Sequence, residues 1–164
     1  MEHKQLLTVF NSLPVGIGFF TADGTLVRCN ESFCRIFGAD SQTLLGNKLN
    51  INENSVVPDV VKEAVRRCVP VQMSFLYDFD KQRTDKRFFS TRTRTCYLKC
   101  NGNPLYDNDG KFVNYIFIFE DITETVKSEE VLRQSRRKTE LAMKAANIMF
   151  WEFDAVAKLF YSDN

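Results

Sequence analysis

The sequence contains one histidine, His3, and it stands within the first few residues. With that histidine alone available, no Ser/His/Asp or Cys/His arrangement can be proposed, and no paired-carboxylate arrangement offers itself instead. A glycine-rich nucleotide loop and a phospho-acceptor histidine box are also missing. The chain therefore reads as non-catalytic. Long apolar runs are absent too: no stretch reaches 18 apolar residues, and the opening MEHKQLL lacks the apolar core of a secretory signal. A cytoplasmic protein without direct membrane insertion is expected. Charge of one sign is equally scarce, since 22 Lys plus Arg stand against 21 Asp plus Glu, and a net charge of +1 gives no general attraction to nucleic acid. The cysteines, Cys29, Cys34, Cys68, Cys96 and Cys100, are odd in number and form no CxxC pair. That pattern fits neither a disulfide framework nor a zinc knuckle, so reduced thiols and no metal site are expected.

Phenylalanine is what the chain has in quantity, with 15 residues able to fill a core or line a cavity. A length of 164 residues allows one ordinary domain with flanking elements. Leu6, Phe10 and Leu13 recur at helical spacing until Pro14, which predicts a short amphipathic helix over residues 1–12. Val15 to Thr21 and Thr25 to Cys29, joined through Ala22-Asp23-Gly24, predict a hairpin. Asn30 then caps a helix Glu31 to Phe37 that Gly38 closes, and shorter helical patterns follow at Ser41 to Leu45 and after Pro58. The alternation Val71, Met73, Phe75, Tyr77, Phe79 predicts a strand, and Lys81 to Arg87 a solvated connection. Two more strands, Thr93 to Asn101 and Phe112 to Glu120, meet at the turn Asp107-Asn108-Asp109-Gly110. The sum is an α+β domain: a five-stranded antiparallel sheet with short helices on one face, an N-terminal helix and a long C-terminal helix.

In the last strand Tyr115, Phe117 and Phe119 point one way while Ile116 and Ile118 point the other, so neither face suits water. One face belongs to the core. The other needs a cover, either the N-terminal helix or a partner chain. Asp121 follows at the position of a helix N-cap with Glu124 three residues on, a capping-box spacing worth on the order of 1 kcal/mol. From Ile122 to about Asn147 there is neither Gly nor Pro, and Thr125, Ser128, Leu132, Ser135, Thr139 and Ala142 mark a weak seam at coiled-coil spacing.

The stretch VGIGFFTADGTLVRCNESFCRIFG, the short helices after it, GKFVNYIFIFEDITE and its closing Asp121-Ile122-Thr123 triplet together resemble the PAS sensor fold over residues 13–125. Residues 126–146 then form a helical linker, and the segment from Glu140 onward, with residues 147–164 in particular, resembles the truncated opening of a second PAS repeat. The resemblance implies a sensory and dimerisation module of a bacterial two-component sensor histidine kinase, with neighbouring PAS and kinase domains as partners. The alternatives are a ligand-free interaction spacer and the input unit of a cyclic-dinucleotide enzyme or transcription regulator. PAS domains that hold haem generally use a histidine, and none lies within 13–125, which leaves only cysteine as a ligand. Light-sensing relatives carry a GxNCRFLQ-like stretch, where this chain has Gly46-Asn47-Lys48-Leu49-Asn50, with Leu49 at the adduct-forming cysteine's place. No cofactor is expected, and the interior takes a small apolar ligand or none. Candidate lining residues are Phe19, Asn30, Phe33, Phe37, Leu44, Phe75, Cys96, Leu98, Phe117 and Phe119, with Cys100 as a further thiol and Asn30 assigned first to its cap. Signal transmission is expected through Asp121, Ile122, Thr123 and Glu124, and a parallel homodimer through Leu6, Phe10, Ile116 and Ile118.

Overall fold

Apolar alternation and cap signals set the elements seen in the computed structural model, which describes residues 2–83, 90–145, 151–154 and 159–162. The chain divides into two units, residues 1–123 and 124–164, each taken by itself. In the first, helix α1 (Glu2–Ser12) precedes the hairpin β1 (Gly16–Phe20) and β2 (Leu26–Cys29). Three short helices follow, α2 (Glu31–Phe37), α3 (Ser41–Gly46) and α4 (Asp59–Arg67). Strand β3 (Val71–Asp78), helix α5 (Phe79–Arg83), β4 (Thr95–Tyr106) and β5 (Phe112–Asp121) complete the sheet. Its order is β2-β1-β5-β4-β3, antiparallel throughout, so the last strand of the sheet to be made lies at its centre. This is the expected α+β architecture.

One face of the sheet carries the core. Phe20, Tyr77, Leu98, Tyr115 and Phe117 meet Phe33 and Phe37 of α2, Leu44 of α3 and Val61 and Val65 of α4, all buried. Helix α2 lies directly on β1 because Gly16 has no side chain: a Cβ there would stand 2.9 Å from Ile36 Cδ1 and 3.0 Å from Phe33 Cα. On the other face Ile17 pairs in register with Ile118 and Phe19 with Ile116, an apolar patch. Helix α1 takes part in covering it. The Phe10 ring lies 6.0 Å from that of Phe19, and the Arg28 guanidinium sits 5.1 Å above Phe10.

Three local expectations are corrected. Phe79 is not the last residue of a strand. Asp78 Oδ1 accepts from the N–H groups of Asp80 (3.0 Å) and Lys81 (3.1 Å), which turns the chain into α5 and buries Phe79. The stretch from Lys81 is therefore not all solvated connection, since Gln82 on α5 is buried; residues 84–89 lie outside the described ones. Strand β4 also runs beyond Asn101 to Tyr106. Past Gly102 it has outrun β3, so one edge is free and Pro104 is tolerated there.

In the second unit, helix α6 (Thr123–Ala145) spans 23 residues, about 35 Å, with every residue of the expected seam exposed. Strands β6 (Trp151–Asp154) and β7 (Leu159–Ser162) pair as an antiparallel hairpin within the segment expected to open a second repeat. Residues 146–150, 155–158, 163 and 164 lie outside the described ones.

Asn30 is fully buried and spends its whole amide on backbone groups of three elements. Its Oδ1 accepts from Phe33 N–H and Ile17 N–H (2.9 Å each), and its Nδ2 donates to the carbonyls of Phe10 (3.0 Å) and Val15 (2.9 Å). Asn30→Ala strands all four groups, so urea unfolding should show a loss of about 3 kcal/mol. At the exposed α3 cap Asp40, which accepts from Thr43 N–H at 2.7 Å, the same change should cost far less. Equal losses at the two sites would contradict the special place given to Asn30.

Candidate functional site

Helices α2 and α4, the segment 49–57 and the inner face of the sheet enclose a cavity of about 20 Å³. That is room for about one water molecule, far from the several hundred cubic ångströms of an ordinary small-molecule site. Of the residues expected to line it, Phe33, Phe37, Phe75 and Phe119 are in the wall. Leu44, Leu98, Phe117 and Cys96 are buried core residues outside the wall, as is Cys100. Asn30 is the α2 cap. Phe19 is on the opposite face, under Phe10, because the side-chain parity of β1 sends Gly16, Gly18 and Phe20 inward.

The polar groups at this cavity were missed in the sequence. Asn54 Nδ2 donates to the Tyr77 hydroxyl at 3.1 Å, and that hydroxyl donates to Gln82 Oε1, with all three residues buried. Burial drives the Tyr77 phenol well above its usual range, so it stays a neutral donor. Tyr77 has inward parity and was legible as lining. Asn54 sits in the aperiodic INENS stretch and Gln82 in a charged one, and neither offers a pattern that predicts burial.

A second set of contacts starts at the other end of α2. Gly38, at φ +64°, closes the helix, and the carbonyls left free by the last turn are taken by residues 90–92. Ser90 Oγ donates to Phe37 O (2.7 Å), Thr91 N–H to Gly38 O (2.7 Å) and Arg92 Nη1 to Ile36 O (3.0 Å). A Cβ at Gly38 would collide with Arg92 and Ser90 at 2.8–2.9 Å. The same guanidinium donates to Asp121 Oδ2 from both Nη1 and Nη2 at 3.0 Å, and stands 5.3 Å over the Phe79 ring.

Asp121, the expected N-cap, is the last residue of β5; helix α6 starts at Thr123, so Ile122 stands at the cap position. Its Oδ1 accepts from Thr123 N–H (3.1 Å) and the Thr123 hydroxyl, whose oxygen accepts from Tyr97 N–H at 2.9 Å. Ile122 N–H donates to Tyr97 O at 2.9 Å. Burial works against the Asp121 carboxylate, but the Thr123 donors and Arg92 outweigh it and hold its pKa below the usual range. Glu124 does not reach back as a capping-box partner; its carboxylate pairs with Lys127 at 2.9 Å. Asp121, Ile122 and Thr123 are thus brought together by the structure, and Glu124 is not joined to them.

The expected partner contacts are dispersed. Leu6 is 67% exposed, Phe10 is half-buried on Phe19, and Ile116 and Ile118 are half-buried on the outer sheet face. Among the described residues no cluster of His, Cys, Asp and Glu could hold a metal ion, and no helix is long and apolar enough to cross a membrane.

The family model described as PAS fold matches residues 10–127, and the chain belongs to the PAS family. Among curated proteins, the probable diguanylate cyclase DgcE of Escherichia coli (strain K12) is 21% identical over 149 residues. That alignment covers 91% of this chain but only 13% of the relative's length. Among solved structures, an RNA-binding Light-Oxygen-Voltage receptor has a TM-score of 0.61 at 18% identity, over 82% of this chain and 37% of that one. A PAS domain from a two-component sensor histidine kinase has a TM-score of 0.54 at 14% identity, over 73% and 96% of the two chains. Such identities establish the fold. The cavity, with Leu49 in its wall, does not fit a flavin or a haem at the volume it has here.

Burial also pushes the Cys100 thiol up to about 12 from its ordinary 9.0. The unfolded chain releases that proton from about pH 9 while the folded chain keeps it, so the contribution is complete below pH 9 and is lost as pH rises toward 12. Urea unfolding at pH 10 and pH 11 should show a loss shallower by about 1.4 kcal/mol per pH unit in Cys100→Ala than in the parent chain. Parallel alkaline limbs would contradict the assignment.

Proposed function

We propose that the chain is the cytoplasmic input module of a two-component sensor histidine kinase, passing the state of its interior or of a bound neighbour through β5 into α6. The observation that carries this reading is the continuous set of bonds from α2, whose Phe33 and Phe37 face the cavity, through Arg92 to Asp121 and Thr123. A change in α2 that moves the Ile36 carbonyl must either drag the guanidinium or break its bond. The same guanidinium holds the residue at which the central strand ends. No glycine or proline separates Asp121 from α6 to absorb the displacement.

The small cavity favours relay of a neighbour's state over capture of a large molecule, and a ligand bigger than water would have to displace α2. A second parent class, a cyclic-dinucleotide enzyme, is favoured by the relationship to DgcE, which extends over 91% of this chain. Sequence following Asn164 discriminates the two: a histidine box with an ATPase domain supports the first, and a GGDEF-type segment the second. In both, the hairpin β6–β7 opens a further PAS repeat, and the module works as a parallel homodimer through Leu6, Phe10, Ile116 and Ile118. Sedimentation as a monomer at high concentration, for this chain and for one extended through the second repeat, contradicts the dimer.

Insertion of two glycines after Glu124 in the full-length parent should abolish the response of output to input while the PAS unit keeps its unfolding midpoint. Undiminished signalling by the insertion variant would remove the relay reading.

A further inference from the structure

Five thiols are spread over the first unit, and two of them meet. Cys96 and Cys100 are buried in the core and Cys68 caps α4, whereas the sulfurs of Cys29 and Cys34 lie 3.8 Å apart. Cys29 ends β2, Cys34 lies one turn into α2, and Asn30 stands between them. Both residues are half-buried, and neither belongs to the cavity wall or to the contacts of Arg92. A disulfide requires about 2.05 Å between sulfurs, so the two must approach by under about 2 Å.

We propose that Cys29 and Cys34 are a redox site, closing a reversible intrachain disulfide by exchange with a low-molecular-weight disulfide of the glutathione class. The thiolate of one cysteine attacks a sulfur of the oxidant, forms a mixed disulfide and expels the first small thiolate. The second cysteine, as thiolate, attacks the protein-side sulfur of the mixed disulfide and expels the other. In sum, one protein dithiol and one small disulfide give one protein disulfide and two small thiols. Two electrons pass from the protein sulfurs to the oxidant, and the two protein protons end on the released thiols.

Burial raises the pKa of both thiols, that of Cys29 to about 12, and the thiolate is the attacking species. Exchange at neutral pH is accordingly slow, which suits a response to sustained oxidation. The bond would close a small ring around Asn30 and tie the end of β2 to the helix that carries Phe33 and Phe37, holding that wall of the cavity in place. This consequence for signalling rests on the relay reading; formation of the bond does not.

Cleavage by trypsin after Arg28 and Arg35 releases both cysteines in one peptide, CNESFCR. The folded chain is held with oxidised glutathione, quenched in acid, unfolded in N-ethylmaleimide, digested and weighed. The expected peptide is two hydrogens lighter than the reduced form, carries no maleimide, and returns to two labelled thiols after dithiothreitol. The oxidised chain should also melt about 4 °C higher. In the Cys34→Ser chain the same peptide should carry one glutathione on Cys29. A peptide from the parent chain that keeps two maleimides or two glutathiones, or that is linked to a different peptide, overturns the site. If the bond forms but leaves output unchanged in the parent protein, the site stands and the relay reading falls.

Discussion

A helix of seven residues cannot satisfy its own ends, and the fold is organised around that shortage at α2. At its start the Asn30 amide serves Phe33 N–H and also Ile17, Phe10 and Val15 of the elements beside it. At its finish the carbonyls of Ile36, Phe37 and Gly38 are taken by Arg92, Ser90 and Thr91. The finish of α2 is therefore held by groups distant in sequence, and at its start the adjacent cap residue is itself tied to such groups. A helix fixed only by its own capping would be free to shift as a unit; this one can shift only with its partners.

The partners decide what such a shift reaches. Through Asn30, α2 is joined to the flanking helix α1 and to β1. Through Arg92 it is joined to the residue at which the central strand stops. The contact of both Nη groups with the one oxygen Oδ2 matters here because a planar guanidinium that already holds Ile36 O and lies over Phe79 has little freedom left to accommodate a moved carboxylate. Asp121 in turn fixes Thr123, and Thr123 is fixed a second time by Tyr97 on β4. The exit from the sheet is thus held by side chains as well as by the ladder.

Much of this was legible and part of it was not, for reasons that differ from residue to residue. The Asn30 cap is a local signal, an amide just before a helical pattern, and it reads directly from sequence; its bonds to Phe10 and Val15 span 20 and 15 residues and do not. Phe19 and Phe20 are adjacent and chemically identical, and which one faces the core depends on strand parity that two inward glycines conceal. Phe79 continues the alternation of β3, but Asp78 supplies a helix cap that ends the strand first. Arg92 stands in a polar run, STRTRTC, that looks like any solvated strand entrance. Its partners are 29 and 56 positions away, so nothing local distinguishes it from Arg94.

Backbone amide hydrogen exchange at Gly38 and Ala39 reports whether the exit of β5 is coupled to α2, because both amides donate to the Cys34 carbonyl at the closing turn of α2 and neither touches Asp121. If the exit of β5 and the end of α2 are joined through Arg92, Asp121→Asn should speed exchange at both amides by about tenfold, and should add nothing in a chain that already carries Arg92→Met. Unchanged exchange at Gly38 and Ala39 in Asp121→Asn, with exchange at Ile122 and Thr123 alone increased, would show that the two ends are independent.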